Sequence, residues 1–353
     1  DTKAYVLNEL RQCAPDRLET PAVCGVKAVF FAKDAQKTIA LRADMDGIHN
    51  DEANDVPYRS QRPGCMHGCG HDLHVAGLLG AAFWLAEHRD KFAGSIKILF
   101  QPSEETGQGA RAMIDAGLVD DVEAIIGTHN NPNYAPGQLA IGVEPMMAGC
   151  VKFRVTLHAQ GTHAGYPYKG TGPIEALASI ILSLQTIVSR NVTPFHPLVL
   201  SVTEVHGGHV WNVVPAEAGF QGTVRYFHKS DGNLVGRRFK EVVEHTAEAY
   251  GISADVVWDD FQDPLVSDPG LAKAVAADVN DYAQLEPIRQ SMAGEDFCEF
   301  AKVTLPVFAF VGSNGQEGCA DWHSPHFVGL DESIPTFVNF YVNTALRVLN
   351  ELK

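Results

Sequence analysis

Residues 96–105 read Ile-Lys-Ile-Leu-Phe-Gln-Pro-Ser-Glu-Glu, and this stretch decides the fold class. Ile96–Phe100 is a short apolar run of the kind that forms a buried strand. It empties into a polar, Pro-containing turn that ends on two carboxylates. The same grammar recurs along the chain. Thr38–Arg42 runs into Asp44-Met45-Asp46, Ala124–Gly127 runs into Thr128-His129-Asn130-Asn131-Pro132, and Val307–Val311 is a fourth apolar run. Helical patterns lie between these runs, notably Leu73–Glu87 with its Ala/Gly/Leu packing face. Strands alternating with helices imply an α/β core built on a largely parallel sheet. In open sheets of that class ligands bind beyond the carboxyl ends of the strands. Three loops bearing carboxylates or imidazoles should therefore emerge on one rim.

The densest polar cluster is Cys65-Met66-His67-Gly68-Cys69-Gly70-His71-Asp72-Leu73-His74, opening a helix. Cys69 and His71 stand two apart and cannot share a helical face, but in an extended, glycine-flanked turn both can bend toward one ion. Thiolate and imidazole are borderline-soft ligands that suit zinc and tolerate neighbouring transition metals. Asp72 is a candidate N-cap for the helix. The competing readings are a structural zinc knuckle using Cys65, Cys69 and nearby histidines, or a Cys/His-rich loop without a metal. Glu104 and Glu105 read either as a solvated acidic patch or, beside a metal, as a ligand and a proton acceptor. His129 and His323, each taken alone, are as consistent with ordinary loop or core histidines. For Asp44 and Asp46 turn chemistry is an equal competitor.

The middle of the chain changes character. Val151–Ala159 alternates like a strand, Pro173–Arg190 is helical with Pro in its first turn, Leu198–Val205 and Ala218–Arg225 are strand-like, Asn233–Tyr250 is helical, and Ser253–Trp258 is strand-like. That order is βαββαβ, the ferredoxin-like arrangement. It marks an inserted α+β module at residues 150–258 within a discontinuous core of residues 1–149 and 259–353.

Composition narrows the function classes. With 353 residues, 45% of them hydrophobic, the chain can bury a large core and should divide into two domains. Lys plus Arg number 27 against 43 Asp plus Glu, a formal charge of −16. Such a field repels phosphate backbones and anionic membranes. No apolar run approaches the ~18–20 residues that span a bilayer, and Asp1–Leu10 carries no signal-peptide pattern. Seven cysteines, an odd number without framework spacing, fit a reducing cytoplasm.

Six motifs taken in order carry a resemblance to a known family. They are Cys-Met-His-Gly-Cys-Gly-His-Asp-Leu-His, Gln-Pro-Ser-Glu-Glu, Thr-His-Asn-Asn-Pro, Gly-Thr-His-Ala-Gly-Tyr-Pro, Ala-Gly-Glu-Asp-Phe (293–297) and His-Ser-Pro-His-Phe (323–327). From about residue 20 onward the chain resembles the aminoacylase/carboxypeptidase family of dinuclear metallopeptidases, in its amidohydrolase branch. That branch includes N-acyl-amino-acid aminoacylases, auxin-conjugate hydrolases and N-acetyldiaminopimelate deacetylases. The resemblance implies metal binding by Cys69, His71, Glu105, His129 and His323, with Glu104 as general base. It implies two divalent ions, zinc or manganese with cobalt as a further choice, and Cys69 is our choice of bridging ligand. Asp46 resembles a residue that orients a ligand. His163, otherwise a loop histidine, would reach a substrate site, often from a partner subunit, to stabilise the oxyanion. Asn212 and Arg225 match substrate-binding positions, with buried polar structure as the competing account; an Arg there could grip a carboxylate in bidentate fashion. The inserted module would serve as lid and dimer surface in a homodimer.

Several positions depart from the family wording. Gly68 precedes Cys69 where Ala is usual, Tyr168 stands where His is frequent, and Gly172-Pro173-Ile174 replaces Asp-Pro-Ile. The relatives' Arg-Arg-x-Leu-His-x-x-Pro-Glu pattern is not found in this sequence. The function implied is metal-dependent hydrolysis of N-acyl amino acids or related small amides. A dipeptidase of the same family, a Cys-nucleophile amidase using Cys69 with His71 or His74, and a binding module with structural zinc are the alternatives.

Overall fold

In the computed structural model, which describes residues 2–21, 25–32 and 36–352, the chain forms two units. The first unit runs up to Glu144 and resumes over Val266–Arg289 and Glu295–Lys353; the second comprises Pro145–Leu265 and Gln290–Gly294. The first opens with α1 (Thr2–Gln12), β1 (Arg17–Glu19), β2 (Val26–Phe31), β3 (Thr38–Asp44), α2 (His71–Glu87), β4 (Ser95–Gln101), α3 (Gly109–Asp115), β5 (Ala124–Asn131) and β6 (Gln138–Ala140). The second holds β7 (Gly149–His158), β8 (Thr162–His163), α4 (Pro173–Asn191), β9 (Leu198–Gly207), β10 (Val213–Val214), β11 (Glu217–Tyr226), α5 (Lys229–Ala249) and β12 (Ser253–Gln262). The first unit is completed by α6 (Pro269–Asp278), β13 (Gln284–Leu285), β14 (Leu305–Gly312) and α7 (Ile334–Glu351).

The first unit's sheet has eight strands in the order β1-β2-β4-β3-β5-β14-β6-β13. Its centre, β4-β3-β5-β14, is parallel; β1, β2 and the β14–β6 pairing are antiparallel. The apolar runs are buried strands, but each is longer than its apolar stretch. Asp44 ends β3, Gln101 ends β4, and His129 to Asn131 remain in the ladder opposite Phe310 to Gly312. The sequence reading ended these strands where polarity began. Here the polar residues have buried partners, so polarity does not release them to solvent.

Helix α2 begins at His71, not Leu73, and Asp72 is not its cap. The capping position is Gly70, with φ 78 and ψ 24 and no side-chain hydrogen bond. Asp72 sits in the first turn, where its charge favours the positive end of the helix. The helix is apolar on nearly every side because it lies between the sheet and α7. At Gly77 a Cβ would come within 2.3 Å of Phe337 Cβ, so only glycine lets the two helices approach this closely. Ile39, Leu41, Ile98, Leu78 and Phe340 form part of this core, all fully buried. Among the described residues no helix is long and apolar enough to cross a membrane.

In the second unit β12-β7-β11-β9 form an antiparallel sheet. Helices α4 and α5 cover one face through Ile180, Leu184, Val235 and Phe239, which pack with Phe153 and Phe220. The βαββαβ order is thus realised with the strand order of a ferredoxin-like sheet.

Candidate metal centre

Parallel pairing lines up the carboxyl ends of the central strands: Asp44 lies opposite Gln101, and His129 opposite Phe310. The loops that follow carry Asp46, Glu104 and Glu105, and the turn before α2 brings in Cys69 and His71. Only three non-glycine residues among those described have positive φ, and two of them are here: Ser103 at 63 and His323 at 64. Ser103 turns the chain immediately before Glu104, and His323 is itself a candidate ligand. Such backbone states typically cost about 1–3 kcal/mol and persist where surrounding contacts enforce them.

Hydrogen bonds fix which ring nitrogens are free. His71 Nδ1 faces the carbonyl of Asp46 at 3.1 Å, and His129 Nδ1 faces the carbonyl of Asn130 at 2.7 Å. A carbonyl only accepts, so each Nδ1 donates and Nε2 is the ring atom left to face an ion. His74 is committed on both sides: its Nδ1 donates to Asp44 Oδ1 at 2.5 Å, and its Nε2 accepts from the Asn130 amide at 2.7 Å. It is a brace and has no lone pair left for an ion.

The remaining donors converge. Cys69 Sγ lies 3.4 Å from His129 Nε2, and His323 Nε2 lies 3.2 Å from Glu105 Oε2. His71 Nε2 is 3.9 Å from Glu105 Oε1 and 4.0 Å from Glu104 Oε2. The ligand atoms of Cys69, His71 and His129 lie within 4.8 Å of one another, as do those of Cys69, Glu105 and His323 and those of His71, Glu104 and Glu105. His71 Nε2 and Glu105 Oε1 are buried without a hydrogen-bond partner. Polar atoms left unpartnered in the interior are expensive, and a divalent cation, taking the place of any proton on His71 Nε2, would satisfy both. A thiol, imidazoles and a carboxylate are the donor set that zinc and its neighbours take. The residues present fit a metal centre.

The electrostatics point the same way. Burial opposes charge on His71, but Asp44, Asp46 and Glu105 outweigh it and push the ring up to about 10. The negative field responsible is one that attracts a cation. Burial and the carboxylates of Glu105, Glu104 and Asp44 hold the Cys69 thiol well above its ordinary range. Burial and His74 hold His129 well below its own. A Cys69 thiolate beside these carboxylates is disfavoured unless a cation stands against it. Cys65 is exposed and belongs to none of the ligand clusters among the described residues, so a knuckle through Cys65 is not formed.

Behind the cluster lies a buried cage. Arg42, fully buried in β3, donates to Gln101 Oε1 at 2.9 Å, Asp44 Oδ2 at 2.8 Å, Glu295 Oε1 at 3.0 Å and Asp296 Oδ1 at 3.0 Å. Asp296 is also held by Gln101 Nε2 at 2.7 Å and the Ala110 amide at 2.9 Å, and its own amide is 3.4 Å from Glu104 Oε1. Burial first, then Glu295, Asp296 and Asp44, push the Glu104 carboxyl well above its usual range, with Arg42 pulling it back. A carboxylate with raised basicity is suited to accept a proton near neutrality.

The structure thus gathers Asp46, Cys69, His71, Glu104, Glu105, His129 and His323. Asp46 contacts the site through His71 Nδ1 (Oδ1 at 3.4 Å) and through the Glu105 amide, which donates to Oδ2 at 3.2 Å. The other three anticipated residues belong to the second unit. His163 lies on β8 opposite Val213, and the Ala164 amide donates to the Asn212 carbonyl at 3.0 Å, so His163 and Asn212 share one short ribbon. Arg225 lies near the far end of β11, its guanidinium 3.5 Å from the Met292 carbonyl. The sequence assigned no role to Arg42, Asn130, Glu295 and Asp296, offered His74 only as a partner of Cys69 in the thiol-enzyme alternative, and set Asp44 against turn chemistry. An Arg inside an otherwise apolar strand was a signal, because an Arg there must be paired. The others stand inside the quoted motifs, but their roles could not be read there, since their partners come from distant segments.

Residues 40–347 match peptidase family M20/M25/M40. The chain is 38% identical over 352 residues to the N-acetyl-L-cysteine deacetylase of Bacillus subtilis (strain 168), covering 99% of this chain and 84% of that protein. It is 36% identical over 267 residues to the N-acyl-L-amino acid amidohydrolase of Geobacillus stearothermophilus, covering 75% and 72%. Its fold is similar to the crystal structure of a dinuclear metal binding peptidase from the M20 family of Bacillus subtilis. The TM-score is 0.88 at 29% identity, covering 99% of this chain and 92% of that one. A family match over residues 40–347 and a relative 38% identical across nearly the whole chain make this chain a member of peptidase family M20/M25/M40.

Proposed function

We propose that this protein hydrolyses the amide bond of N-acyl amino acids, using two divalent cations held by Cys69, His71, Glu105, His129 and His323, with Glu104 as general base. The observation that carries the reading is the convergence of these ligand atoms, two of them (His71 Nε2 and Glu105 Oε1) buried without a partner, beside a buried glutamate. Cys69 Sγ belongs both to the cluster with His71 and His129 and to that with Glu105 and His323, which supports a bridging role. When bound, the cations polarise the scissile carbonyl and acidify a water.

The chain's own groups supply the rest. Glu104, backed by the Asp296 amide, would accept the proton of the attacking water and return it to the departing amine. Asp46 would hold the His71 ring and the Glu105 backbone. In the second unit the Gly165 amide donates to His163 Nδ1 at 3.0 Å. A neutral ring accepting at Nδ1 carries its proton on Nε2, the donor an oxyanion requires. Arg225 would grip the substrate carboxylate and Asn212 would help orient the amide. The second unit would act as lid and dimer surface, the protein working as a cytoplasmic homodimer with zinc or manganese, cobalt substituting.

The test is metal quantification combined with amine release from a panel of N-acyl amino acids and dipeptides. The expectation is two metals per chain and release from the acylated amino acids. Faster cleavage of dipeptides would make it a dipeptidase, and no release with zinc, manganese or cobalt would sink the reading.

A further inference from the structure

One residue outside the ligand set ties the ligand-bearing segments together. Asn130 is fully buried at the end of β5, and all four of its polar groups are engaged. Its amide N–H donates to His74 Nε2 at 2.7 Å. Its carbonyl accepts from His129 Nδ1 at 2.7 Å. Its side-chain Nδ2 donates to the Cys69 carbonyl at 2.5 Å. Its Oδ1 accepts from Ser313 Oγ at 3.1 Å and from Trp322 Nε1 at 3.2 Å. The partners leave no freedom in the amide orientation: Trp322 only donates and the Cys69 carbonyl only accepts, so oxygen and nitrogen cannot be exchanged.

These bonds reach three candidate ligands without touching a ligating atom. Through the Cys69 carbonyl, Asn130 sets the turn that aims the thiol. Through its own carbonyl, it fixes the tautomer that leaves His129 Nε2 bare. Through Trp322, whose ring also meets His129 edge-on at 4.8 Å, it anchors the residue preceding His323. Gly70 adds a steric signature, since a Cβ there would stand 2.4 Å from Asn130 Nδ2. Short length, one donor and one acceptor in a fixed fork are all required. Asp lacks the donor, Leu lacks both, and Gln is a methylene too long.

We infer that Asn130 is a positioning residue that sets the Cys69 turn, His129 and the His323 loop in binding geometry before any ion arrives. This rests on the proposed metal site. Outer residues that orient metal ligands typically carry about 10–100-fold in affinity, and Asn130 acts on three segments at once.

The experiment compares the parent protein with Asn130→Asp and Asn130→Leu, and with Trp322→Phe, which keeps an aromatic side chain but loses the indole N–H together with part of the ring. Zinc affinity is read by competition with a chromophoric chelator. The near-ultraviolet thiolate-to-cobalt band of the cobalt-loaded protein reports how Cys69 is seated, and the melting temperature of the metal-free protein reports folding. The expected result is a roughly 10–100-fold loss of zinc affinity in both Asn130 variants and a shifted or weakened thiolate band. Trp322→Phe should show a smaller loss in the same direction, with its metal-free melting temperature within a few degrees of the parent. If an Asn130 variant fails to fold, Trp322→Phe decides alone. Zinc affinity within about threefold of the parent with an unaltered cobalt band would overturn the inference. A parent that takes up no zinc or cobalt would instead overturn the metal reading beneath it.

Discussion

Replacing Glu104 by Gln should abolish turnover while leaving the fold at least as stable, and the opposite signs are what make this substitution informative. Glu104 is buried to 7% exposure, and carboxylate oxygens of Glu104, Glu295 and Asp296 lie within 4.8 Å of one another. Two like charges at that separation repel by roughly 3 kcal/mol at an effective dielectric of about 20. Arg42, which already serves Asp44, Glu295 and Asp296, offsets only part of this. The isosteric amide removes one charge from the crowd. Its oxygen can still accept from the Asp296 amide, now 3.4 Å from Glu104 Oε1. The folded state therefore loses repulsion and no required hydrogen bond. Catalysis loses its proton acceptor, and general-base contributions of about 10²–10⁴-fold correspond to about 2.7–5.4 kcal/mol in the barrier. The assay pairs kcat on an N-acyl amino acid with metal content and the melting temperature of the metal-free protein. The expectation is two retained ions, unchanged or raised melting temperature, and kcat down at least about 100-fold. A variant that keeps more than a tenth of its turnover, or that loses turnover only in step with folding or metal, would refute Glu104 as the base.

Four further outcomes are expected. Arg42→Met leaves Asp44, Glu295 and Asp296 buried without their guanidinium, and breaking such a network should lower the unfolding free energy by about 3–5 kcal/mol in urea titration; a loss under 1 kcal/mol would show the cage to be dispensable. His163→Ala should lower kcat about 10²–10³-fold through loss of an oxyanion donor with metal content unchanged, whereas a change confined to KM would point to ground-state binding alone. Chelation should abolish activity and lower the melting temperature, and zinc, manganese or cobalt should restore both. Throughout, Cys65, which is exposed, should react with a thiol reagent far faster than buried Cys69, and activity that survives metal removal but not alkylation of Cys69 would revive the thiol enzyme.

Much of this was legible in residue order. The largely apolar runs at 38–42, 96–100, 124–127 and 307–311 forecast the buried strands because a strand covered on both faces is predominantly apolar. The polar residues just beyond them forecast the rim, and the βαββαβ pattern forecast the second sheet. Motif wording added the ligand set as an expectation, and the side chains it named in the first unit do converge. Strand ends were misjudged because hydropathy assumes that polar groups seek water, whereas Asp44, Gln101 and His129 to Asn131 are satisfied inside. The cap was misplaced because Gly70 supplies a left-handed turn, which no capping side chain announces.

What the sequence determined by itself was therefore local: where strands run, where helices lie, and which residue types stand at their ends. Only the tertiary structure decided which nitrogen of each histidine is free, that His74 is a brace, and that Arg42, Asn130, Glu295 and Asp296 hold the site. Those properties depend on hydrogen bonds and charges between segments as far apart as Arg42 and Glu295. Linear order records no such distance, because the partner that fixes a proton or a charge is chosen by the packing of the sheet and its helices.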